Sequence, residues 1–176
     1  MSTFQVDLRG MVDLLSRNLY SGPRVYIREL LQNGLDAIEA RSALDPECPR
    51  RVTITIEGRT LKCRDSGIGL TEEEAAGLLS TIGASSKRDE LGMARSDFLG
   101  QFGIGMLSCF MISDSITVYS RSAKSPDSPT VIWEGKTEGT YTTQPLSASD
   151  PHNLGEAGTE VVLEAHPGEP WIDPDT

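Results

Sequence analysis

Residues 28–38 read Arg28-Glu-Leu-Leu-Gln-Asn-Gly-Leu-Asp-Ala-Ile38. At about 100° of rotation per residue this is a helix. Ile27, Leu31, Leu35 and Ile38 form an apolar face, and Arg28, Gln32 and Glu39 form a polar face suited to water. Glu29, Asn33 and Asp36 belong to neither. At i, i+4 and i+7 they make a third stripe beside Leu30, Ala37 and Ala40, with two carboxylates and an amide in line. Taken alone, such a stripe is most often solvated surface. Its meaning depends on what the rest of the chain sets around it.

Before this helix, Thr3 to Val6 suits a short strand, and Leu8, Met11, Val12, Leu15 and Leu19 recur at helical spacing over about 7–20, ended by Ser21-Gly22-Pro23. The helix itself is expected to run to about Ala43. Val52 to Ile56 and Thr60 to Arg64 alternate in polarity around Gly58, the pattern of a hairpin. Asp65-Ser-Gly-Ile-Gly69 then forces a tight loop, and Thr71-Glu-Glu-Glu74 is a capping signature for a helix to about Thr81.

Gly83 to Leu99 has weak periodicity and many small or charged residues, so a lid over about 84–99 is expected. Gly100 to Gly105 leads into an apolar helix over Met106 to Ile112. Strands are expected at Ser115 to Ser120, Val131 to Glu134, Thr140 to Thr143 and Glu160 to Leu163. Residues 166–176 read as a linker or tail after one domain over 1–165. Helices mixed with a closing run of strands indicate an α+β fold, not alternating βαβ units. Gly100-Gln-Phe-Gly-Ile-Gly105 has the spacing GxxGxG, which is neither the dinucleotide fingerprint nor a P-loop.

The 176 residues, 38% apolar, suffice for one domain with a real core. The net charge of −10 is unevenly distributed: 14 basic to 16 acidic residues up to Arg121, then 2 to 10 from Ser122 onward. That acidic second part repels phosphate backbones and argues against non-specific nucleic-acid binding. Cys48, Cys63 and Cys109 are odd in number and lack CxxC spacing, which suggests neither a disulfide framework nor a zinc site. The N-terminus carries no signal-peptide pattern, and no apolar run approaches the roughly 20 residues of a membrane span, so a cytoplasmic protein is expected.

What carries weight is the joint order of individually weak pieces. Glu, Asn and Asp on a helix are followed by Asp-x-Gly-x-Gly after a strand, a lid, Gly-x-x-Gly-x-Gly before a helix, and Gly158-Thr159-Glu160 in a strand. In this order the chain resembles the ATP-binding domain of the GHKL superfamily, which includes type II topoisomerase ATPase subunits, mismatch-repair MutL, histidine kinases and the ninety-kilodalton heat-shock chaperones. The stretches LYSGPRVYIRELLQNGLDAI, DSGIGLTEEE, STIGASS and FLGQFGIGMLSCFMISD are most similar to the bacterial chaperone pattern, from Phe4 to about Leu163. The resemblance implies a Bergerat fold: a two-layer α/β sandwich whose mixed, mostly antiparallel sheet is covered on one face by helices.

It also implies roles. Asn33 would hold Mg2+ through its amide oxygen, since magnesium takes hard oxygen ligands and completes its shell with phosphates and water. Glu29, one turn earlier, would activate the attacking water, and Asp36 would anchor the pocket floor or ordered waters. Asp65 would accept the adenine amine, with Gly67 and Gly69 admitting the ring, and Thr159 would support the same base. Gly100, Gly103 and Gly105 would expose amides to the phosphates at a helix N-terminus. Ala37, Leu70, Ser85, Ser86, Gln101, Phe102, Ile104 and Met106 complete the ATP or ADP contacts. The sequence departs from the family pattern at Leu78, Ala84 and Met106, where asparagine, lysine and phenylalanine are usual, and its lid is short.

The function implied is a weak, magnesium-dependent ATPase domain at the N-terminus of a chaperone. Unfolded clients would engage domains outside this chain. The full-length protein is expected to be a homodimer and the isolated domain a monomer, with no membrane partner. Two alternatives are an ATPase of topoisomerase or MutL type and a module that senses nucleotide without turnover.

Overall fold

The structure, a computed structural model, describes residues 2–3, 24–77, 106–125, 127–138, 140–169 and 172. The elements are β1 (Ser2–Thr3), α1 (Val25–Leu44), β2 (Val52–Glu57), β3 (Thr60–Asp65), a helical stretch α2 over 72–77, a 3-10 helix (Leu107–Met111), β4 (Ser115–Arg121), β5 (Val131–Lys136), β6 (Thr140–Pro145) and β7 (Gly158–Glu164). The strands form one sheet in the order β1-β6-β5-β4-β7-β3-β2, and every pairing among the described residues is antiparallel. The last strand in the chain, β7, thus lies between β4 and β3. This brings Thr159 beside Asp65 and Ser120, far from both in sequence.

Helices lie on one face, where inward residues of β3, β4, β5 and β7 (Leu61, Cys63, Ile116, Val118, Trp133, Val161 and Leu163) meet Tyr26 and Leu30 of α1 and the 3-10 residues Leu107, Cys109 and Phe110. On the opposite face Tyr119, Leu146 and Leu154 form a smaller cluster with Ile132 and Val162. This is the α+β sandwich expected, helices on one side of a mostly antiparallel sheet.

Helix α1 forms where expected but buries only part of the expected apolar face: Ile38 is buried and Ile27 packs against the core. Leu31 and Leu35, assigned to the apolar face, are 38% and 57% exposed, whereas Leu30, Asn33, Gly34, Ala37 and Ile38 are buried. The reason is steric. A Cβ on Gly34 would lie 3.0 Å from Cγ2 of Val52 and 3.3 Å from Cβ of Asp65, so the small-residue stripe is the side that lets the helix axis approach the sheet closely. Of the polar stripe, Asn33 is therefore buried, while Glu29 and Asp36 stay partly exposed.

At the start of α2 the capping signature forms as read. The Thr71 N–H donates to Glu74 Oε2 at 3.0 Å and the Glu74 N–H to Thr71 Oγ1 at 3.2 Å, while Lys124 pairs with the other Glu74 oxygen. The apolar helix expected over Met106 to Ile112 is helical at Met106 and continues as a 3-10 helix over Leu107–Met111. Part of the expected tail packs: His166 donates its N–H to the Ile112 carbonyl at 2.8 Å, and Ile172 is buried in the main core. The core therefore includes a residue beyond 165. The helix expected over 7–20, the end of α2, the lid over 84–99 and the glycine-rich run 100–105 lie outside the described residues.

Cys48, Cys63 and Cys109 are buried free thiols, with Cys63 and Cys109 pushed up to about 12 by burial first. No described helix is long and apolar enough to cross a membrane.

Candidate functional site

Three elements meet around the end of β3. Helix α1 contributes Asn33, Gly34 and Ala37 from its buried face. The sheet contributes a cross-strand row, because Asp65 pairs in register with Thr159 on β7 and Thr159 pairs with Ser120 on β4. Residues directly opposite across antiparallel strands point to the same face. Since the Asp65 Cβ faces Gly34 of α1, the whole row faces the helix layer. The loop Ser66–Leu70 closes the corner.

That loop is held at nearly every residue. Gly67 donates its N–H to Asp65 Oδ1 at 2.8 Å, Ile68 to the Ala37 carbonyl at 2.9 Å, and Leu70 to Ser120 Oγ at 2.8 Å. Ala123 donates in turn to the Ile68 carbonyl at 2.7 Å. Ser66 Oγ donates to the Pro49 carbonyl at 2.7 Å and accepts the Arg51 N–H at 2.9 Å. Gly69 has φ +66°, and a Cβ there would lie 1.9 Å from the Arg121 carbonyl oxygen, so the turn admits only glycine.

Asp65 is 6% exposed. Burial pushes its carboxyl up to about 7, against the opposing pull of the Gly67 and Thr159 backbone N–H groups and of Arg64. Asn33 is 4% exposed, and its Nδ2 is buried without a hydrogen-bond partner among the described residues. A buried amide without a partner is costly in a folded protein, and such groups mark ligand sites or strain.

The other expected residues are placed as follows. Glu29 stands one turn before Asn33, its side chain 23% exposed and 3.6 Å from Arg28. Asp36 is partly exposed and accepts from Gln32 Nε2 at 2.9 Å. Ala37, Leu70 and Met106 are buried. Ser85, Ser86, Gly100, Gln101, Phe102, Gly103, Ile104 and Gly105 lie outside the described residues. A separate cavity of about 350 Å³ opens between Arg41, Asp45, Arg121 and Glu156, but neither Asn33 nor Asp65 lines it. Its Arg41 Nη1 is already engaged by the carbonyls of Ser66 at 3.0 Å and Ala157 at 3.3 Å, tying the end of α1 to the two loops.

Sequence reasoning missed Gly34, Arg41, Ser66 and Ser120. One signal for Ser120 was available: it continues the inward positions Ile116 and Val118 of its strand, where a serine is out of place unless its hydroxyl has work.

The geometry now stands beside known proteins. Residues 20–159 match the family model described as histidine kinase-, DNA gyrase B- and HSP90-like ATPase. The chain is 33% identical to the chaperone protein HtpG of Yersinia pestis and 32% identical to that of Cronobacter sakazakii, in each case over 94% of this chain and 28% of the relative. It thus spans a little over a quarter of the length of the curated relatives it matches. The order of motifs, the antiparallel sheet under α1 and the family match agree: this chain belongs to the histidine kinase-, DNA gyrase B- and HSP90-like ATPase family.

Proposed function

We propose that this chain is the N-terminal ATP-binding domain of a ninety-kilodalton heat-shock-type chaperone of the cytoplasm, and that it hydrolyses ATP slowly with magnesium. The observation that carries this reading is the buried Asp65 carboxylate, set in register with Thr159 and facing α1 near the orphaned Asn33 amide. Asp65 accepts from an exocyclic amine, and Thr159 supports the same base. Guanine presents an acceptor at that position, so a buried carboxylate rejects it.

Asn33 is suited to the metal. Its side chain is a neutral, hard oxygen donor whose nitrogen lacks a partner among the described residues, and magnesium needs only one or two protein oxygens. When bound, the ion neutralises charge building up on the phosphates. Glu29, one helical turn away, takes the proton of the attacking water. Glycines 100, 103 and 105 supply backbone amides to the phosphates. Client proteins would engage other parts of a longer, homodimeric protein. We assign none of the described residues as a cationic finger, a group worth on the order of 10³–10⁵ in rate where phosphoryl transfer uses one, and slow turnover fits that reading.

Calorimetric titration with magnesium and either ATP or GTP tests the reading. ATP is expected to bind and GTP to bind at least tenfold more weakly, about one charge-assisted hydrogen bond. Equal affinities would overturn it.

A further inference from the structure

Ser120 is 1% exposed, and its Oγ has three polar neighbours: the Leu70 N–H at 2.8 Å, the Gly158 carbonyl at 3.2 Å and Thr159 Oγ1 at 2.8 Å. A serine hydroxyl has one proton to give and lone pairs to receive. The Leu70 amide can only donate and the Gly158 carbonyl can only accept. All three bonds form together in one arrangement: Ser120 gives its proton to Gly158 and receives protons from Leu70 and Thr159. The Thr159 proton is then committed to Ser120. What remains on Thr159 Oγ1, toward the helix-covered face it shares with Asp65, is lone pairs alone.

We infer that Ser120 is a positioning residue for base selection: it holds the Thr159 hydroxyl as an acceptor beside the Asp65 carboxylate, so that the pair favours a purine carrying an exocyclic amine over one carrying an oxo group. The inference rests on the reading that the base docks at Asp65. Two neighbouring acceptors reward a group with two N–H bonds and repel a lone-pair oxygen. Without Ser120, Thr159 regains a free proton and can rotate to donate to an oxo group. A purely structural Ser120, needed only to satisfy the Leu70 amide, would weaken the binding of every nucleotide alike.

The test is calorimetry of the whole chain with magnesium and either ATP or inosine triphosphate, whose 6-oxo group replaces the amine. Ser120→Ala is expected to lower the ATP-to-inosine preference about tenfold, the value of one buried hydrogen bond. Thr159→Val should lower it similarly, and adding Ser120→Ala to Thr159→Val should change it no further, because the serine acts through the threonine. Ser120→Thr, which restores the hydroxyl, should keep the preference. An unchanged preference in Ser120→Ala, or a further fall in the double variant, overturns the inference. If Ser120→Ala does not unfold cooperatively, Thr159→Val decides, and an unchanged preference there overturns it as well. A wild-type chain with no preference for ATP refutes the docking at Asp65 itself. A wild-type preference that Asp65→Asn abolishes and the Ser120 and Thr159 variants leave intact refutes only the role of Ser120.

Discussion

Gly67 and Ala37 stand so close that a Cβ on Gly67 would lie 2.4 Å from the Ala37 Cβ and 2.6 Å from the Ala37 carbonyl carbon. The next residue, Ile68, hydrogen-bonds that same Ala37 carbonyl at 2.9 Å, so the loop cannot back away without losing the bond. The two nearest obstacles are the Cβ and the carbonyl carbon of Ala37, neither of which can rotate aside. Gly67→Ala is expected to destabilise the fold by about 1–3 kcal/mol, the usual cost of overpacking. Denaturant unfolding of the purified chain measures this, and a change below about 0.5 kcal/mol, the range of ordinary surface substitutions, would contradict the close approach.

Asp65 makes stability depend on pH. Its carboxyl titrates near 3.8 when unfolded and about 7 when folded, so between those values the unfolded chain has lost a proton that the native protein keeps. Stability falls with rising pH across that window, by about 1.4 kcal/mol per unit, and levels off above pH 7 once both states are ionised. In Asp65→Asn this slope should vanish. Urea unfolding of the two proteins at pH 5 and pH 7 compares them, and parallel pH profiles would show that Asp65 is not the buried acid responsible.

Nucleotide affinity should have the opposite sign. An amine needs the ionised, acceptor-only carboxylate, so magnesium-ATP binding strengthens as pH rises toward 7, approaching tenfold per unit below that value, and flattens above it. Asp65→Asn presents an amide in place of the charge and should weaken binding by roughly 1–3 kcal/mol while removing the pH dependence. Titrations across pH 5.5 to 8.5 would reveal a flat wild-type profile if Asp65 does not read the base.

For turnover, the roles of Glu29 and Asn33 separate cleanly. On the proposed roles, Glu29→Ala should abolish phosphate release while leaving ATP affinity nearly unchanged, because a base there would touch the attacking water and not the ground-state nucleotide. Asn33→Ala should weaken both, since it loosens the ion that clamps the phosphates. Phosphate release measured beside ATP binding distinguishes them. Undiminished release in Glu29→Ala, with wild type above background, would favour a nucleotide sensor.

By itself the sequence determined most of the described elements and the family. The span of α1, the β2–β3 hairpin, the Thr71–Glu74 cap and the later strands follow from periodicity, turn chemistry and capping. These are local signals, carried by residues a few positions apart. Tertiary structure alone decided two matters. The first is which side of α1 is buried: hydrophobicity favoured Leu31 and Leu35, yet Gly34 and Ala37 allow the closer approach to Val52 and the Gly67 loop, and the packing of small residues prevailed. The second is the row Asp65–Thr159–Ser120, which exists only because β7 inserts between β3 and β4 in one register. A shift of β7 by one residue would turn Thr159 to the other face, away from Asp65 and Ser120, and strand insertion across such distances leaves no local trace in the chain.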